Sequence, residues 1–114
     1  MKEFLYIIRG GQDEMQNASP EDIQDHMAKW SKWMGGMAEQ GLLVGGQPLE
    51  YAGKTLIESG TKVIDRPLAE GKELIGGYLI VRAENLEGAT ELAKGCPGFE
   101  NENTTVEVRE IASM

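Results

Sequence analysis

VIDRPLAEGKELIGGYLIVRAENLEGATELAKGCP, residues 63–97, decides most of what can be read about the fold. At its centre, Tyr78-Leu79-Ile80-Val81 is a short apolar run bounded by Gly76-Gly77 and by Arg82, the pattern of a strand. Asn85 stands where a helix N-cap belongs. Leu86, Ala89, Leu92 and Ala93 then recur at helical spacing, and Gly95 with Pro97 stops the run. A strand therefore passes directly into a short helix between residues 77 and 95. Gly76-Gly77 separates a charged connector from this strand and permits a bulge or a close backbone approach.

Working outward from that unit, residues 4–9 form a first strand. Phe4, Tyr6 and Ile8 share one face and Leu5 and Ile7 the other, so both faces need cover. Gly10-Gly11 ends the strand, and residues 12–18 read as a polar loop. Ser19-Pro20-Glu21-Asp22 opens the main helix with a capping serine, a proline at the first position and acids in the first turn. Ile23, Met27, Trp30, Met34 and Met37 form its amphipathic stripe, and Gly41 closes it. Gly35-Gly36 inside this helix costs about 1 kcal/mol per residue against alanine, which predicts close packing on the sheet or a kink.

Residues 42–46 lead into extended chain, where 55–57 and 62–64 flank a Ser59-Gly60 hairpin signal. Residues 105–111 alternate, with Val106 and Val108 inward, as a half-exposed last strand. The whole is an α+β, ferredoxin-like β-α-β-β-α-β order with an elaborated middle hairpin region and an antiparallel sheet. Two helices cover only one face of such a sheet. A second copy, packed sheet on sheet, is the expected cover for the other.

The length, 114 residues, predicts one domain over residues 1–114. A net charge of −8 without a basic tail opposes nucleic-acid and anionic-membrane partners. One cysteine excludes an internal disulfide, and one cysteine with one histidine excludes the usual zinc-finger patterns, so neither metal nor cofactor is expected. No apolar run reaches the ~20 residues that span a bilayer. The opening MKEFLYIIRGG lacks the build of a signal peptide, so the expected location is cytoplasmic. Gly53-Lys54-Thr55 ends like a phosphate-binding loop, but Pro48 stands where its first glycine belongs. Cys96 lacks a sequence-local base, and Trp30 and Trp33 lack the basic groove of a stacking platform.

The stretch VIDRPLAEGKELIGGYLIV resembles the signature of the YCII-related, or DGPF-domain, family, in which an Asp-Gly-Pro-Phe turn precedes an acidic-lysine connector and a Gly-Gly-Tyr/Phe strand. Asp65, Pro67, Glu70, Lys72, Glu73, Gly76, Gly77 and Tyr78 match, while Arg66 replaces the glycine and Leu68 the phenylalanine. GLLVGGQPL, ELAKGCP and VEVREI are similar as well, so the resemblance spans nearly the whole chain. It implies a dimeric α/β barrel of ferredoxin-like subunits. It also implies relatives that include a lactone-ring dehalogenase and muconolactone-isomerase-like folds, some with a proposed histidine–aspartate site, and others associated with alternative sigma factors.

His26, in DHMAKW, is similar to the helix histidine of that site. The aspartate that follows the helix in those relatives has no match in GGQPLEYAGKT, and Asp65 is its candidate replacement. The expected catalytic pair is therefore His26 as general base and Asp65 as its orienting acid. Arg9, Lys72 and Tyr78 are the candidates to hold a small, lactone-like ligand. Against this stand the plain readings: His26 as a packed helix-border residue, Asp65 as an Asx-turn, and Glu70, Lys72 and Glu73 as a solvated cluster. The competing function is a non-catalytic ligand-binding or protein-interaction homodimer linked to transcriptional regulation.

Overall fold

The structure is a computed structural model that describes residues 1–11 and 16–113; of the loop expected over 12–18, residues 12–15 lie outside the described residues. The elements are β1 (Lys2–Arg9), α1 (Pro20–Glu39), β2 (Leu43–Pro48), β3 (Thr55–Ile57), β4 (Lys62–Ile64), β5 (Ile75–Ala83), α2 (Leu86–Ala93) and β6 (Thr105–Glu110). Short 3-10 turns, Gly71–Glu73 and Pro97–Glu100, precede β5 and β6. The main sheet has the order β2-β5-β1-β6 with every neighbour antiparallel, and β3 pairs with β4 separately. This is the ferredoxin-like α+β arrangement, its middle extended by a two-stranded arm.

Local chemistry fixes the helices where the sequence placed them. Ser19 Oγ accepts from the Asp22 N–H at 3.0 Å, and Asn85 Oδ1 accepts from the Gly88 N–H at 2.8 Å. Phe4, Tyr6, Ile8, Leu79, Val81 and Ala83 face the helices and form the core with Met37, Ala89 and Ala93. The Tyr6 hydroxyl donates to the Ala89 carbonyl at 2.5 Å, so its burial leaves no polar orphan. Leu5, Ile7, Tyr78 and Ile80 stand half-buried on the opposite, open face of the sheet.

The stripe on α1 is buried over only half its length. Met37 is buried and Trp30, Trp33 and Met34 pack on the core, but Ile23 and Met27 are exposed. Nor do the mid-helix glycines mark close packing or a break. The helix runs unbroken from Pro20 to Glu39, and a Cβ at Gly35 or Gly36 would meet nothing within 4 Å.

Within the sheet, tight packing instead holds Gly46, opposite Leu79 on edge strand β2. A Cβ there would stand 2.9 Å from Leu79 Cα and closer still to the Tyr78 carbonyl oxygen. At Gly77 the nearest atom would be the Gln47 carbonyl oxygen at 3.1 Å. Of the bulge or close approach expected at Gly76-Gly77, the bulge is at Gly76: Ile8 faces Gly77 and Arg9 faces Ile75, so the register steps over Gly76. The hairpin also differs in detail from a two-residue Ser-Gly turn. Glu58, Ser59 and Gly60 are all left-handed, at φ 53, 57 and 85.

Candidate functional site

The bulge at Gly76 has a consequence for chemistry. It reverses the side-chain alternation of β5, so Ile75 joins Arg9 on the open face at the end of the sheet. There the chain after β2 and the chain after β4 fold over the sheet end. A cleft of about 540 Å3 results, lined by Arg9, Leu49, Glu50, Ala52, Glu73, Leu74, Ile75 and the signature residues Pro67, Leu68 and Ala69. Its walls are tied down by the Leu49 N–H donating to the Gly76 carbonyl at 2.9 Å and the Gly10 N–H donating to the Leu74 carbonyl at 3.1 Å. Gly10 sits at φ +83 with no room for a Cβ against the Asn103 carbonyl, so this corner requires glycine.

Arg9 is the cation of the cleft. Its Nη1 donates to Glu107 Oε1 at 2.7 Å along the open face, which fixes the guanidinium while its remaining N–H groups stay available. Glu50 and Glu73 also line the cleft, and among the described residues neither carboxylate is bonded to another side chain. The cleft thus offers one fixed cation and two free carboxylates against a mostly apolar wall.

Arg66, which stands where the signature has glycine, braces the turn. Its Nη1 donates to the carbonyls of Pro67 at 3.1 Å and Leu68 at 3.3 Å, and the Thr55 hydroxyl donates to its own carbonyl at 2.9 Å. Asp65 is on the outside of this turn, its side chain 84% exposed, and pairs with Lys54 at 2.6 Å. Lys72 is exposed on the 3-10 turn beside the cleft, and Tyr78 lies on the open sheet face opposite Ile7 and Gln47; neither lines the cleft.

His26 belongs to a different cluster, on the helix side. The Trp30 indole N–H donates to His26 Nε2 at 2.9 Å, and His26 Nδ1 lies 3.0 Å from Glu100 Oε1. An indole nitrogen can only donate, so Nε2 holds the lone pair and the neutral ring carries its proton on Nδ1, which donates to Glu100. Lys29 holds the other oxygen of Glu100. Lys29 first, and His26 second, keep that carboxyl below its usual range, while the bond to Glu100 raises the Lys29 ammonium. Both ring nitrogens of His26 are thereby occupied, and among the described residues no hydrogen bond or ion pair joins His26 to Asp65.

Glu100 could not have been found from sequence, because 74 positions separate it from His26. Glu73 was visible within the signature but reads there as one member of a screened charge cluster. Among the described residues no group of three His, Cys, Asp or Glu side chains is placed to hold a metal. Among the described residues no helix is long and apolar enough to cross a membrane.

An antiparallel four-stranded sheet backed by two helices, with its cleft built from an Asp-x-Pro turn and a Gly-Gly strand, defines a ferredoxin-like α+β protein of a particular lineage. The sequence model of the YCII-related domain matches residues 3–114, and the chain belongs to that family. A search of curated proteins finds no match. Among solved structures, the chain is similar to 5-chloro-2-hydroxyhydroquinone dehydrochlorinase from Burkholderia phenoliruptrix AC1100, in complex with 2,5-dihydroxybenzoquinone. The TM-score is 0.60 at 15% identity, covering 96% of this chain and 93% of that one. At that identity the likeness speaks for the fold.

Proposed function

We propose that this protein is a small-molecule enzyme that works by proton transfer on a hydroxylated or lactone-like ring, as a homodimer joined through the open sheet face. The observation that carries the reading is the cleft in which Pro67, Leu68, Ala69 and Glu73 of the family signature meet Arg9. In it, Arg9 steadies an oxygen that gains negative charge, and Glu73 receives a proton from the ring and returns it. The dehydrochlorinase with a bound dihydroxybenzoquinone supports the substrate class. The half-buried Leu5, Ile7, Tyr78 and Ile80 support the dimer, since two helices cover only the other face.

The proton step is not assigned to His26 and Asp65 here. The lone pair that a general base needs is already accepting from Trp30, and Asp65 faces Lys54. In this reading His26 braces α1 against the Pro97–Glu100 turn.

The test is a titration of hydroxyquinones and butenolides against the parent, Arg9→Ala and Glu73→Gln, with melting points as a folding control. Arg9→Ala should weaken binding at least about tenfold, the scale of one charged hydrogen bond. Glu73→Gln should bind yet fail to turn over. Undiminished binding by a folded Arg9→Ala would place the site elsewhere. Binding by the parent without turnover would favour the non-catalytic ligand-binding dimer.

A further inference from the structure

Gly36, in the middle of α1, is left over by the fold. A Cβ there would meet nothing within 4 Å, yet the residue is half-buried, because it lines a groove of about 500 Å3 between α1 and the chain that leaves α2. This groove shares no residue with the cleft at Arg9. Buried Met37 and half-buried Leu92 and Pro97 give it an apolar floor. Its volume lies within the range of small-molecule sites.

The wall that α1 contributes is polar as well as apolar. Lys29, Lys32, Trp33 and Gly36 stand at steps of three and four residues and so share one face of the helix. Trp33 stacks on Tyr6 with ring centres 6.4 Å apart, which fixes the direction of its indole edge. The Trp30 indole N–H has His26 as its acceptor, but among the described residues the Trp33 indole N–H has none. No side-chain nitrogen or oxygen among those residues is both buried and unpaired, so solvent in the groove reaches this donor. Glycine at position 95 keeps it accessible, since a Cβ there would stand 3.0 Å from the indole nitrogen.

Charge points to the sign of the occupant. Glu100 is held by Lys29 and His26, whereas Lys32 pairs with no carboxylate among the described residues. Lys29 and Lys32 against Glu100 give the groove 2 − 1 = +1 on a chain of net −8. A single negative charge therefore finds one uncommitted cation there, and a second would meet Glu100.

We propose that this groove binds a small aromatic monocarboxylate. The ring lies on Met37, Leu92 and Pro97 in the space that Gly36 leaves, edged by the Trp33 indole. The carboxylate accepts from the Trp33 indole N–H and from Lys32. The site is separate from the cleft at the sheet end and needs no second protomer.

Titration of the parent with 1-naphthoate, followed by calorimetry and by the two indole N–H resonances in a proton–nitrogen spectrum, tests this. Saturable binding should move the Trp33 signal more than that of Trp30, which is already bonded to His26. Gly36→Leu fills the groove while removing a mid-helix glycine, so it should melt no lower than the parent and abolish binding. Lys32→Glu should weaken 1-naphthoate at least about fivefold and leave the affinity for neutral 1-naphthamide unchanged. Arg9→Ala should bind 1-naphthoate as the parent does, which separates the groove from the sheet-end cleft. No saturable binding by the parent, undiminished binding by a folded Gly36→Leu, or loss of binding with Arg9→Ala would overturn the inference. If Gly36→Leu unfolds, Lys32→Glu decides: equal weakening of acid and amide, or of neither, overturns it. A Trp33 signal that shifts with protein concentration alone, and not with 1-naphthoate, would assign the groove to a second copy and overturn it as well.

Discussion

Gly46→Ala adds a single methyl group to an exposed edge strand, and the structure makes it a severe change. The new Cβ would lie 2.9 Å from Leu79 Cα and nearer still to the Tyr78 carbonyl oxygen, a spacing that real Cβ atoms essentially never show. Both neighbours are backbone of central strand β5, which is held on its other side by β1, so β2 must retreat. A retreat of several tenths of an ångström strains one or two ladder bonds, each worth about 1 kcal/mol, beyond ordinary overpacking. The expected loss is about 2–3 kcal/mol, or a fall in Tm of roughly 10 °C for a domain of this size. Thermal denaturation of parent and variant at one concentration reads it directly. A variant that melts with the parent would show that β2 yields freely, and the reasoning from backbone contact would be refuted.

Gly35→Ala should act in the opposite direction. Its Cβ meets nothing, so removing a mid-helix glycine should stabilise the chain by about 1 kcal/mol, read as a higher denaturation midpoint. At alkaline pH, burial raises Cys96 from 9.0 to about 11 and Tyr6 from 10.0 to about 12. The unfolded chain therefore loses these protons first. The stability they contribute is intact below about pH 9 and is lost as pH rises toward 12, and Tyr6→Phe should remove the upper part of that decline in a pH series of melts. On the acid side, Glu100 is held below its ordinary 4.5, so its contribution is present above that pH and lost as pH falls through the depressed value. Glu100→Gln should flatten that portion of the acid profile.

Features set by neighbours in sequence were legible without coordinates. Ser19 and Asn85 cap their helices through bonds that span three residues, and the Gly76-Gly77 bulge follows from two adjacent glycines. The alternation of β1 likewise divided Phe4, Tyr6 and Ile8 from Leu5 and Ile7, as the buried and half-buried faces are divided in the structure. Features set by distance were not legible. The stripe on α1 is a property of the helix, but whether Ile23 and Met27 are covered depends on where the sheet ends. Gly46 owes its constraint to the backbone of β5, more than thirty residues away in sequence. The site divided along the same line. Arg9 and the signature turn are in the cleft, whereas His26 is fixed by Glu100, a partner that only the folded chain brings near.

The aromatic cluster on α1 supplies a built-in optical probe. The chain has two tryptophans, and both stand in it: Trp33 stacked on Tyr6 with ring centres 6.4 Å apart, Trp30 edge-on to Trp33 at 5.6 Å and bonded to His26. Tryptophan emission from this protein therefore comes from one spot, the seam between α1 and the sheet. Loosening of that seam should change the emission, so a steady-state fluorimeter can follow it without labels.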